Sequence, residues 1–114
     1  MSYDIYIGPW SSNYTSNVSE VFYDHMDGGI RSLDGLSGYD AAARLGAFFN
    51  EISRTQIRMY ARDPSQDKQR GEPMLCDKYD PENGWGSLVG ALIWAGQIMA
   101  ACLMYPTERV EISA

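Results

Sequence analysis

Between Glu82 and Glu108 the chain carries no charged residue. Ser87 is a good helix cap and Pro106 a stop, so Leu88 to about Tyr105 reads as one helix. Leu88, Val89, Leu92, Ile93, Trp94, Ile98, Met99, Leu103 and Met104 are large and apolar. Gly90, Ala91, Ala95, Gly96, Ala100 and Ala101 fill most of the remaining positions. A helix that is apolar all round has to be covered all round. A membrane span needs roughly 20 apolar residues and basic anchors at its ends. This run is slightly short, contains Gln97 and lacks flanking Lys or Arg. Enclosure by the rest of the chain is the second solution. The third divides the helix between the core and a homo-oligomer contact, where small residues let two backbones approach closely. The chain has 114 residues, and a domain of that size has a high ratio of surface to volume. The third solution is therefore favoured, and a homo-oligomer through Leu88–Met104 is expected.

The length fits a single domain over residues 1–114. Hydrophobic residues make up 45% and charged residues 21%, which describes a folded chain with a core. The net charge of −6 argues against direct nucleic-acid binding, which needs a basic patch. It allows docking on a basic protein surface. Cys76 and Cys102 form no disulfide framework, and Met1-Ser2-Tyr3-Asp4 does not begin a signal peptide. A cytoplasmic protein without membrane contact is expected. The Asn13-Tyr14-Thr15 and Asn17-Val18-Ser19 sequons then carry no glycan.

Elsewhere the hydrophobic periods define an α+β fold, about three helices on a small sheet that includes the N- and C-terminal strands. Tyr3, Ile5 and Ile7 alternate with Asp4 and Tyr6 and predict a strand closed by Gly8-Pro9. Trp10 to Asn17 reads as a polar stretch that can add a strand before Asn13. Val18, Val21, Phe22 and Met26 recur at helical spacing and end at Gly28-Gly29. Ser37-Gly38-Tyr39-Asp40 resembles a capping box before a helix from Ala41 to about Tyr60. That helix shows an apolar stripe through Ala42, Leu45, Phe48 or Phe49, Ile52 and Met59. Residues 65–82 are charged, hold two prolines and are expected to form a mobile loop. Arg109 to Ser113 alternates and predicts a last strand, able to pair with the first.

Two polar segments precede helices. Asn13-Tyr14-Thr15-Ser16-Asn17 puts two amides and two hydroxyls at a helix N-terminus, where free N–H groups and the helix dipole favour an anion. Ordinary capping explains the same residues. Asn83-Gly84-Trp85-Gly86-Ser87 has the same character, and Trp85 can either stack on a ligand or plug the core. Asp24, His25 and Asp27 offer metal-ligand types, but neighbouring helical residues point apart, so a solvated helix end is expected. His25 is the sole histidine, and no nucleophile, nucleotide-loop or zinc motif is present. No enzyme, metal or cofactor is expected.

The Asn13–Asn17 segment after a first strand, the Asn83–Ser87 turn and the apolar helix ending near Ala101-Cys102 resemble a group of small uncharacterised bacteriophage and bacterial proteins. The resemblance implies a phage or bacterial setting and points at Asn13, Thr15, Asn17, Asn83 and Trp85. The reading that follows is a non-catalytic binding protein for a small polar or anionic ligand. Trp10, Tyr14 and Trp85 would stack on a ring, and Asn13, Thr15, Asn17, Asn83 and Ser87 would supply hydrogen bonds. In a phage setting such a protein would act in the host cytoplasm, sequestering a nucleotide-type host signal to evade host defence. The alternative is an inhibitor or adaptor that presents Asp77, Asp80 and Glu82 to a basic host protein.

Overall fold

The structure, a computed structural model, describes residues 2–15, 19–62, 79 and 86–113, with residues 57–62 in backbone only. The expected mobile loop over 65–82 falls, Tyr79 apart, outside the described residues. Strand β1, Ser2–Ile7, buries Tyr3, Ile5 and Ile7 and presents the alternate residues outward. Gly8 has a φ of 54°, which glycine adopts without steric cost, and the chain reverses there into β2, Trp10–Thr15. The hairpin register runs from Ile7↔Trp10 to Ser2↔Thr15. The stretch read as polar is thus a full strand. Its alternation puts Trp10, Ser12 and Tyr14 on the covered side and Ser11 and Asn13 in solvent. β3, Val110–Ser113, pairs with the other edge of β1, with Ile5 opposite Ile112. The sheet order is β2-β1-β3, all antiparallel, so both chain ends enter one sheet as expected.

Helix α1, Ser19–His25, buries Val21 and Phe22. A 3₁₀ turn over Ile30–Leu33 then inserts both of its end residues into the core. Ser37 caps helix α2, Gly38–Arg62, by accepting from Asp40 N at 3.2 Å. α2 buries Ala41, Ala42, Leu45, Phe48 and Ile52, the expected stripe; the Met59 side chain lies outside the described residues. Helix α3, Leu88–Met104, is capped by Ser87, whose Oγ accepts from Gly90 N at 2.9 Å. Its inner face buries Leu88, Ala91, Trp94, Ala95, Ile98, Ala101 and Cys102. Val89, Ile93, Leu103 and Met104 remain exposed. Among the described residues, no helix is long and apolar enough to cross a membrane.

Trp94 joins the layers. Its ring stacks on Tyr14 of β2 at 5.4 Å and on Tyr3 of β1 at 6.3 Å, and meets Phe22 of α1 edge-on at 6.1 Å. Its indole N–H donates to Ser12 Oγ at 3.2 Å, so burial leaves no orphaned donor. Phe22 stacks in turn on Phe48 of α2 at 5.1 Å. Each fully buried apolar side chain around this stack, such as Ile5, Leu45 or Ile98, contributes roughly 1.5–3 kcal/mol.

The start of α2 is pressed against the end of α3. A Cβ on Gly38 would fall onto the carbonyl oxygen of Tyr105 and lie 2.6 Å from that of Cys102. Gly38→Ala should therefore lower stability by roughly 1–3 kcal/mol, although alanine is the better helix former by roughly 1 kcal/mol. Urea unfolding of the two proteins measures this; a gain in stability would refute the close approach.

Candidate functional site

Five of the eight sequence-predicted ligand residues are described: Trp10, Asn13, Tyr14, Thr15 and Ser87. Asn17, Asn83 and Trp85 lie outside the described residues, as do Asp77, Asp80 and Glu82. Tyr14 and Ser87 do come together. Ser87 N donates to the Tyr14 hydroxyl at 3.3 Å, and that hydroxyl sits directly over Gly90, where any Cβ would collide with it. The N-terminus of α3 is thus filled by the chain itself: Tyr14 takes the Ser87 amide and Ser87 Oγ takes the Gly90 amide. Asn13 belongs to the opposite side of the sheet. Its amide donates across the hairpin to Asp4 Oδ1 at 3.0 Å and Ser2 Oγ at 3.1 Å. One residue of strand therefore separates Asn13 from Tyr14 by a whole sheet face. Thr15 ends the strand, half-buried.

Trp10 stands at the other end of β2, half-buried, and walls a cleft of about 380 Å³ between β2 and α3. Ser11 and Ser12 enter the lining from the strand, and Gln97, Ala100, Ala101 and Met104 from the helix. No ionisable side chain lines it. The volume lies within the range of small-molecule sites. Its features are one indole, the Ser12 hydroxyl and one amide on apolar flooring, with Ser11 at the rim. Gln97 was visible in the sequence as the one strongly polar side chain of an apolar helix. Ser12 gave no signal of its own, because only the strand register turns it toward that helix.

A second polar cluster lies at the junction of α1 and α2. The sequence places Asp24, His25 and Asp27 at a solvated helix end, but the His25 side chain is only 10% exposed. Tyr79 is buried against it. Its hydroxyl donates to Asp24 Oδ2 at 2.7 Å and lies 3.1 Å from His25 Nε2. The phenol has one proton, and Asp24 takes it, so Nε2 is the donor to the Tyr79 oxygen. His25 Nδ1 then faces Glu51 Oε1 at 3.6 Å without a hydrogen bond. Burial first, and then the bond to Asp24 with the charges of Asp24 and Glu20, hold the Tyr79 phenol well above its ordinary value. That disfavours phenolate and suits a structural donor. Among the described residues, no group of three His, Cys, Asp or Glu side chains is placed to hold a metal ion. Burial pushes the Cys102 thiol up to about 11, so the described cysteine is an unreactive core residue at neutral pH.

Comparison with family models, with characterised proteins and with solved structures finds no match for this chain. The candidate site therefore rests on its own geometry.

The Tyr79 cluster makes a pH prediction. The folded state holds the phenolic proton more tightly than the unfolded chain does. Its contribution is present below the ordinary phenol value of about 10 and is lost as pH rises above it. Tyr79→Phe should cost roughly 0.5–1.5 kcal/mol at neutral pH, the worth of one hydrogen bond, because the exposed Asp24 carboxylate is taken up by water, and less above pH of about 10. Urea midpoints for both proteins from neutral to alkaline pH test this; parallel curves would contradict it.

Proposed function

We propose that this protein is a non-catalytic binding protein for a small polar ligand that carries a flat ring, held in the cleft between β2 and α3. The lining of that cleft carries the reading. An indole face offers stacking, worth roughly 1–3 kcal/mol per base where aromatic side chains meet nucleobases. The hydroxyl of Ser12 and the amide of Gln97 can both donate and accept, so they suit the edge of a heterocycle. A nucleobase fits this chemistry. With no cation in the lining and the start of α3 filled by Tyr14, the ring rather than a phosphate is what the cleft recognises. The lining offers the serine hydroxyls no histidine, carboxylate or lysine as a base, which suits capture without turnover. Together with the resemblance to phage proteins, this supports the sequestration of a nucleotide-type host signal in the host cytoplasm.

Melting with a panel of nucleosides and nucleotides is the test. A ligand at a hundred times its dissociation constant adds roughly 2.7 kcal/mol of stability. Trp10→Ala should weaken that ligand about tenfold to a hundredfold. Asn13→Ala, on the far side of the sheet, should leave binding unchanged. A panel without any shift, or equal weakening by both variants, would count against the cleft.

A further inference from the structure

Two helix-interior glycines have no reason within the chain to be glycine. A Cβ on Gly46 of α2 would meet nothing within 4 Å, and one on Gly96 of α3 would touch only Phe49 Cζ, at 4.0 Å. Gly38 and Gly90 differ, since both are pressed against other atoms of the chain. Glycine weakens a helix interior relative to alanine, and among the described residues no close approach calls for one at Gly96.

Gly96 is the midpoint of an exposed stripe along α3: Val89, Ile93, Gly96, Ala100 and Leu103. Val89, Ile93 and Leu103 are 62%, 58% and 58% exposed. Their spacing of four, three, four and three residues is that of a coiled-coil seam. Turned end to end about Gly96, the stripe fits itself. Val89 falls opposite Leu103, bulky Ile93 opposite small Ala100, and Gly96 opposite Gly96.

We propose that a second copy of this chain docks antiparallel on this stripe, with a two-fold axis passing beside Gly96. A two-fold contact uses the same patch on both subunits and so requires this kind of self-complementarity. Charge agrees. The chain carries a net −6, yet this face has no ionisable side chain, so two copies meet without bringing their carboxylates together. Shape agrees too. The helix has 17 residues and is roughly 25 Å long. It is flanked by the Trp10 cleft and by a groove of about 360 Å³ over Gly46. Both hollows open beside the C-terminal half of α3, which the N-terminal half of the partner helix would cover. The dimer does not depend on the ligand reading and is tested without ligand.

Light scattering of the wild-type chain should give twice the chain mass. Gly96→Leu should weaken the dimer about 30-fold or more, while the isolated subunit stays folded, because a Cβ there meets Phe49 only at ordinary contact distance. Ala100→Ile should also split the dimer, and adding Ile93→Ala should restore it by exchanging the large and small partners. A wild-type monomer at all concentrations, including one whose stripe is covered by residues 63–85 or captured by another protein, would overturn the proposal. So would a dimer indifferent to Gly96→Leu, or a double variant that stays dissociated.

Discussion

One uncharged helix with two apolar faces governs this structure. The inner face of α3 supplies Trp94, Ala95, Ile98 and Cys102 to the core, and every other element is placed by contact with that face or with what it touches. Trp94 alone gathers β1, β2 and α1 through Tyr3, Tyr14 and Phe22. The small residues of the helix divide by side. Ala91, Ala95 and Ala101 let the sheet and α2 come close, whereas Gly96 and Ala100 lie on the outer face. Among the described residues, a three-stranded sheet and two further helices leave one side of α3 exposed, the side with the regular seam spacing.

The polar features follow from that packing. Tyr14 reaches the start of α3 because β2 lies along the helix, and in filling that terminus it removes the most evident anion site. At the far end of the same strand nothing fills the corresponding gap, and Trp10, Ser11, Ser12 and Gln97 surround a cleft. Tyr79 sits at the α1–α2 junction, bonded to Asp24 and His25. It holds the one histidine in a structural contact.

Much of the fold was legible because the elements carry undiluted periods. Tyr3, Ile5 and Ile7 announced β1, Ser37 and Ser87 announced the caps of α2 and α3, and the alternation after Arg109 announced β3. The length of β2 was hidden because Ser11, Ser12 and Asn13 have low strand propensity. What makes them a strand is the turn at Gly8-Pro9 and the cover that α3 gives to Trp10 and Tyr14, and neither is a local property. The burial of His25 was hidden for a similar reason, since its partner Tyr79 is more than fifty residues away. The two helix-start motifs were visible as polar segments, and of their described side chains Tyr14 and Ser87 meet while Asn13 points away. Asn13 and Tyr14 are adjacent in sequence and opposite in space, while Trp10 and Gln97 are distant in sequence and share a cleft.

The central claim is that the outer face of α3 is built for a second copy of the same chain. An NMR experiment on a mixed sample tests it most directly, with one half of the subunits carbon-13-labelled and the other half not. Filtered nuclear Overhauser spectra then record only contacts between subunits. The account predicts cross-peaks between the Ile93 methyls of one subunit and the Ala100 methyl of the other. A spectrum in which no Ile93 methyl sees a proton of another subunit would contradict it.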